Sequence, residues 1–241
     1  MLQNHTDQNM IKKGIHTVSL LFFCSLLLAQ NKSDSLAVNF HLEFNKLPLE
    51  LHKKYISTSK DTLTIETFRC YISNIQIQYE DNAVFTQKES YHLLDLENPN
   101  SFQIPITRKN HKLISKITFN IGIDSTTNNA GAMAGDLDPV KGMYWAWQSG
   151  YINMKIEGKS SSCNTRKKEF QFHLGGYIKP YYAMRKVELN FNKNSNDNVN
   201  IGIDLKEFFS NIKLSQTNSV MIPGKSAMEL ADVSVKMFHL E

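Results

Sequence analysis

Leu36-Ala-Val-Asn-Phe-His-Leu-Glu-Phe44 alternates apolar residues with a second set along its whole length. Leu36, Val38, Phe40, Leu42 and Phe44 share one face of an extended chain, and Asn39, His41 and Glu43 share the other. A period of two is that of a strand with one buried face. The pattern recurs downstream. Ile75 and Ile77 oppose Asn74, Gln76 and Gln78; Ile117, Phe119, Ile121 and Ile123 form one face; Phe170, Phe172 and Leu174 oppose Gln171 and His173. Val187, Leu189 and Phe191 follow, then Val199, Ile201, Ile203 and Leu205, then Val233, Val235 and Met237. A polar loop at Asn192–Asn198 and a Pro223-Gly224 turn separate these runs. Leu205–Ile212 reads as a short helix with Phe208, Phe209 and Ile212 on its apolar side. So many alternating strands with one short helix indicate an all-β fold, an antiparallel β-sandwich of immunoglobulin-like or jelly-roll-like type with long loops. Phe119-Asn-Ile-Gly-Ile-Asp124 and Val199-Asn-Ile-Gly-Ile-Asp204 are alike, which two similar core strands explain without a repeat.

The chain has 241 residues, 41% hydrophobic and 21% charged, an ordinary globular composition that argues against disorder and fibrous repeats. Its net charge of +4 is too small a surplus for a nucleic-acid binder, and Arg166-Lys167-Lys168 reads as a solvated turn. Lys12 and Lys13 precede the apolar run Val18–Ala29. That run is shorter than the roughly 20 residues a bilayer span needs and suits a secretory signal. Residues 1–30 are therefore expected to be a signal peptide cut near Ala29 or Gln30, and residues 31–241 a single domain. A lipoprotein reading of Cys24 is poor, because Phe23 stands where a small residue is needed. The expected compartment is periplasmic or extracellular, with no membrane span after cleavage.

Removal of Cys24 leaves Cys70 and Cys163, an even pair in a disulfide-permissive compartment. A bridge between them and two buried free thiols are the alternatives. No CxxC motif or Cys/His zinc spacing occurs. Hydrolase, nucleotide-binding and zinc-protease signatures are also missing, and no acid/base pair stands out, so the expectation is a protein that is not an enzyme.

Gly142-Met-Tyr-Trp-Ala-Trp-Gln-Ser-Gly-Tyr151 holds both tryptophans of the chain. In an extended strand Met143, Trp145 and Trp147 project from one face. The residues alone leave three readings open: a core strand, a sugar-stacking surface, or a soft-metal or redox site. His173 sits opposite Phe170, Phe172 and Leu174, facing solvent or a loop-covered pocket, either as a metal ligand or as a hydrogen-bonded structural residue. Imidazole suits copper, and thioether sulfur suits Cu(I). His41 and His239 are weaker candidates. Asp136-Leu-Asp138-Pro lacks the spaced acidic set of a calcium loop and reads as a turn. The stretch Asp124–Gly142 reads as a long loop on the scaffold, a common functional position.

On these residues the sequence resembles the MbnP-like family of secreted copper-binding proteins. The resemblance is carried by Phe44 with Pro48-Leu49, Tyr71-Ile-Ser-Asn-Ile75, Tyr91-His-Leu-Leu-Asp-Leu96, Phe119-Asn-Ile-Gly-Ile123, Gly135-Asp-Leu-Asp-Pro139 running into Gly142–Tyr151, Phe172-His-Leu-Gly-Gly176, and Met237-Phe238. The Trp-x-Trp-Gln-x-Gly-Tyr phrase is the specific part. The resemblance implies a β-rich protein outside the cytoplasm that handles copper, with a tryptophan oxidised to kynurenine by a dihaem peroxidase-like partner. The kynurenine amine then joins histidine around Cu(I). Here the matching residues are Trp145 and Trp147 for modification and His173 for the metal, with Met143 beside them; no second histidine stands at a position the family fixes. Gln148 and Asn153 are candidates for orienting the imidazole. The rival reading is a metal-free β-sandwich interaction module at the cell envelope, with Trp145 and Trp147 as core or stacking residues.

Overall fold

The computed structural model describes residues 35–88, 90–107, 112–195 and 198–241. The signal-peptide reading of residues 1–30, with Cys24, lies outside them. Two sheets carry the architecture. The smaller is centred on β1 (Ser35–Phe44). The larger is built around an 18-residue strand, β2 (Thr62–Tyr79). The other main strands are β3 (Tyr91–Asp95), β4 (Gln103–Thr107), β5 (Ile114–Ile121), β6 (Gly150–Ser160), β7 (Glu169–Gly175), β8 (Arg185–Ser195), β9 (Val199–Asp204) and β10 (Phe238–Leu240).

In the small sheet β10, β9 and β1 lie side by side, and β4 and the pair Leu47–Pro48 take the far edge of β1. In the large sheet Cys70 pairs with both Leu94 of β3 and Met154 of β6. Ile72 pairs with both His92 of β3 and Ile121 of β5. So β3 holds one edge of β2, while β6 and β5 share the other end to end. The outer neighbours are β8 on β5 and β7 on β6. Pairing is mostly antiparallel, as expected for the sandwich, but β1 and β9 are parallel, as are β7 and Ser219–Val220.

From Phe68 to Ile72 of β2, and from Met154 and Phe170 onward in β6 and β7, even-numbered residues make the core side of the large sheet; register shifts swap the parity elsewhere, so that Leu63, Ile65, Ile75 and Ile77 are core residues too. Phe68, Cys70, Ile72, Met154, Ile156, Phe170, Phe172 and Leu174 are all buried in the main cluster, joined by Val38, Phe40, Ile201 and Ile203 from the small sheet. On the opposite, outward side of this region the chain builds a second, smaller core of Tyr71, Leu93, Ile123, Leu137, Met143, Trp145, Tyr151 and Ile152. The segment between β5 and β6 folds over it. This segment is not a plain loop: it holds helix α1 (Ser125–Ala130) and two 3-10 turns. It is pinned down by Tyr71 Oη donating to Asp136 O at 2.8 Å and Tyr151 Oη donating to Leu137 O at 3.1 Å. Asp136 accepts from Leu93 N and from Lys141 Nζ, and Asp138 accepts from Val140 N, which bears out the Asp-Pro turn.

The two similar phrases end alike. Asp124 caps α1 by accepting from Thr127 N, and Asp204 caps α2 (Leu205–Phe209) by accepting from Lys206 N. Each is a strand-to-helix junction closed by an Asp N-cap.

Two expectations are corrected. Val233, Val235 and Met237 are not a strand. They end helix α3 (Lys225–Ser234) and the 3-10 turn after it. Ala227, Leu230, Ala231 and Ser234 are its buried side, a helical spacing that outweighs the short alternation. The Cys70–Cys163 bridge is absent, and both thiols are free and buried. Cys70 pairs with Met154, whereas Cys163 N donates to Ser160 O, and Ser160 pairs with Leu63. Six residues of strand separate Met154 from Ser160, roughly 20 Å, far beyond the span a disulfide tolerates. Burial raises both thiols above their ordinary pKa, which suits packing residues.

Candidate functional site

The outward face of β2, β6 and β7 carries a polar row beside the second core. Asp95 of β3 pairs with Arg69 of β2, Arg69 with Lys155 of β6, and Lys155 with His173 of β7. Residues in register point to one side of a sheet, so these four side chains line up. Arg69 Nε donates to Asp95 Oδ2 at 2.8 Å, and its Nη2 reaches Glu97. Lys155 Nζ donates to Gly142 O at 2.5 Å, tying the row to the covering segment, and burial lowers its pKa.

His173 is 7% exposed, with Nε2 2.7 Å from Glu157 Oε1. The histidine hydrogen bond is the first cause holding the Glu157 carboxyl below its ordinary value, with the Lys155 charge adding to it. An ionised carboxylate can only accept, so Nε2 carries the proton. In the neutral form of the ring, the only form that binds a metal, this leaves Nδ1 as the lone pair. His173 lies opposite the core residues as the alternation implied, and of the two expected settings it takes the covered one rather than open solvent.

Tyr144–Trp145 is a two-residue strand paired with Gly150 and Tyr151. Trp145 is buried because Gly175 has no side chain: a Cβ there would lie 2.6 Å from the indole Cζ3. Gly175 is two residues beyond His173 on the same outward face of β7. The indole and the imidazole are therefore neighbours along one strand. The expected common face of Met143, Trp145 and Trp147 does not survive, because residues 146–149 form a turn, with Gln148 N donating to Trp145 O. Met143 is fully buried in the second core, while Trp147 is 65% exposed, its ring centroid 5.9 Å from that of Trp145 at 49°. Asn153 Oδ1 accepts from Ile123 N, a structural use away from the imidazole.

Glu157, Lys155 and Gly175 were missed from the sequence. Lys155 and Glu157 alternate with Met154 and Ile156, so their outward direction was legible, but their neighbour across the sheet was not. Among the described residues no group of three or more His, Cys, Asp or Glu is set to hold a metal ion. Of the expected ligands, the protein as it stands offers one imidazole at this face. The indole N–H gives no lone pair, so the residues fit copper only with a tryptophan ring converted to a donor.

Glu157 supports a pH prediction. Its depressed pKa stabilises the fold above the ordinary value of 4.5, and that contribution is lost as the pH falls through its lower folded value. Glu157→Gln is therefore expected to be less stable than the parent at pH 6, with the gap closing towards pH 3. Urea melts across that range check it, and a gap constant with pH contradicts it.

A sandwich with an indole seated beside an oriented imidazole on its outer face is a β-scaffold protein with an aromatic–histidine site. The sequence pattern of the MbnP family matches residues 33–222, and the chain belongs to that family. The solved structure of MbnP from Methylosinus trichosporium is similar in fold, with a TM-score of 0.55 and 13% identity over 79% of this chain and 82% of that one. No curated protein sequence gives a match. Among the described residues no helix is long and apolar enough to cross a membrane.

Proposed function

We propose that this chain is a non-enzymatic copper-binding protein of the cell exterior or periplasm, in which Trp145, once oxidised to kynurenine, joins His173 around Cu(I). The observation that carries the reading is the seat of the Trp145 indole on Gly175, next along the face from an imidazole whose Nδ1 Glu157 leaves free. A carboxylate behind a ligating histidine is the usual way of fixing its tautomer. Opening the indole between its two pyrrole carbons adds two oxygen atoms. Two equivalents of peroxide supply them and leave as water. Hydrolysis then releases formate and leaves an aryl amine with a lone pair. A dihaem peroxidase-like partner, as in the family, is the proposed catalyst of that oxidation. Trp147, exposed and next to Trp145, is the ring such a partner can touch.

The test uses protein purified without an affinity tag from its own host. The tryptic peptide holding both tryptophans is expected to carry kynurenine at Trp145, and the protein is expected to hold one Cu(I) per chain. His173→Ala should lower Cu(I) affinity by more than about 100-fold, beyond what a change behind the ligands causes. Unmodified tryptophans in copper-loaded protein, or unchanged affinity in His173→Ala, overturn the assignment. A chain that binds no copper in either form leaves the interaction module as the surviving reading.

A further inference from the structure

The outward face of the small sheet carries a separate cluster. His41 of β1, Gly202 of β9 and His239 of β10 stand in one row. Glu43 follows on the same side of β1, and Glu241 follows His239. The bare Gly202 lets the His239 imidazole lie across it beside Glu43: a Cβ there would fall 2.5 Å from His239 Nε2 and 3.1 Å from Glu43 Oε2. With nothing on Gly202, Glu241 reaches diagonally across β9, and its Oε2 sits 2.6 Å from His41 Nδ1.

The pairing is incomplete. Glu43 is 8% exposed, and its Oε2 is a buried oxygen without a hydrogen-bond partner. The His239 imidazole Nε2 lies 3.5 Å from it. Burial raises the Glu43 pKa. The His239 charge opposes that rise, while Glu241 and Asp204 add to it. Asp204 is committed elsewhere, to Asn45 N, Lys46 N and Lys206 N. Two carboxylates and two imidazoles thus crowd together on this face, one carboxylate oxygen being buried and unsatisfied.

We propose that His41, Glu43, His239 and Glu241 form a binding site for a divalent cation of the zinc class on the outward face of the small sheet. Two imidazoles and two carboxylates are a four-donor set that Zn²⁺ takes in tetrahedral form. The absence of thiolate and thioether sulfur makes it a poor set for Cu(I). A cation also removes the mutual repulsion of the carboxylates and satisfies the orphaned oxygen. No three of the donors yet meet at one point, because each imidazole leans on a carboxylate. Binding replaces those two pairings by rotation of the side chains of His41 and Glu241, which have solvent on one side, while Glu43 stays fixed. His239 and Glu241 lie beyond the family-matched residues 33–222. The site is on the other sheet from His173 and does not depend on the copper reading.

Calorimetric titration of Zn²⁺ into the full chain carrying His173→Ala, which removes the imidazole of the other site, tests this. One equivalent is expected to bind with proton release, seen as a dependence of the heat on buffer ionisation, and to raise Tm. His239→Gln and His41→Gln, each added to that background, should each weaken binding by more than about 100-fold, beyond outer-shell effects. His41 is on the open side, so its variant serves if His239→Gln fails to fold. Absence of one-equivalent binding, or binding unchanged in the folded variants, overturns the site.

Discussion

Phe172→Ala is expected to lower the unfolding free energy by about 3–5 kcal/mol, the usual cost of emptying a buried aromatic position. Phe172 is fully buried on the core side of β7. Its ring centroid is 5.8 Å from that of Phe170 and 5.7 Å from that of Phe208. Phe208 and Phe209 belong to α2, which follows the small-sheet strand β9, so the cluster ties the two sheets together. The gap left by alanine is walled by rings on a strand and a helix, neither of which collapses easily. Against the 5–15 kcal/mol that holds a typical domain, the loss is large. Urea unfolding monitored by tryptophan fluorescence measures it. A loss under about 1.5 kcal/mol, the scale of a conservative core swap, would show that the cluster relaxes into the gap.

Asp204→Ala is expected to cost about as much for a different reason. Asn45 and Lys46 both have positive φ, 58° and 59°, the backbone of a type I′ hairpin turn that normally calls for glycine. Asp204 holds that turn by accepting from Asn45 N at 2.7 Å and Lys46 N at 3.0 Å, and it also accepts from Lys206 N at 3.0 Å as the cap of α2. Alanine strands three backbone donors, each worth about 1–3 kcal/mol when left unmade out of water. Asn at this position keeps one acceptor oxygen and should recover part of the loss. If Asp204→Ala and Asp204→Asn melt within a degree of the parent, the turn is held by something else.

The strands were legible because their alternation is a one-dimensional signal: the Phe170–Leu174 face is buried as read, and so is the Leu36–Phe44 face but for a half-buried Leu42. The helix at Lys225–Ser234 was missed because Val233, Val235 and Met237 mimic a strand over five residues, too few to tell the two periods apart. At the site, the direction of His173 followed from Phe172 and Leu174. Its partner Glu157 did not, because cross-strand register is fixed by tertiary pairing. Trp147 departs from Trp145 because it sits within the four-residue turn that follows, and nothing in Ala146-Trp-Gln-Ser149 announces that turn by Gly or Pro. The disulfide expectation counted cysteines, but counting carries no distance.

The parallel pairing of β1 with β9 bears on the order of folding. Asn39 Nδ2 donates to Asn200 Oδ1 across 161 residues of chain. β1 is among the first strands to leave a ribosome or a translocation pore, yet one of its edges stays unmatched until β9 emerges, and β10 comes later still. Such distant pairing is slow, on the scale of milliseconds to seconds, and an open strand edge meanwhile invites sticking to other chains. Folding of this protein is therefore a late, whole-chain event, and whatever escorts the nascent chain must guard β1 until the final strands arrive.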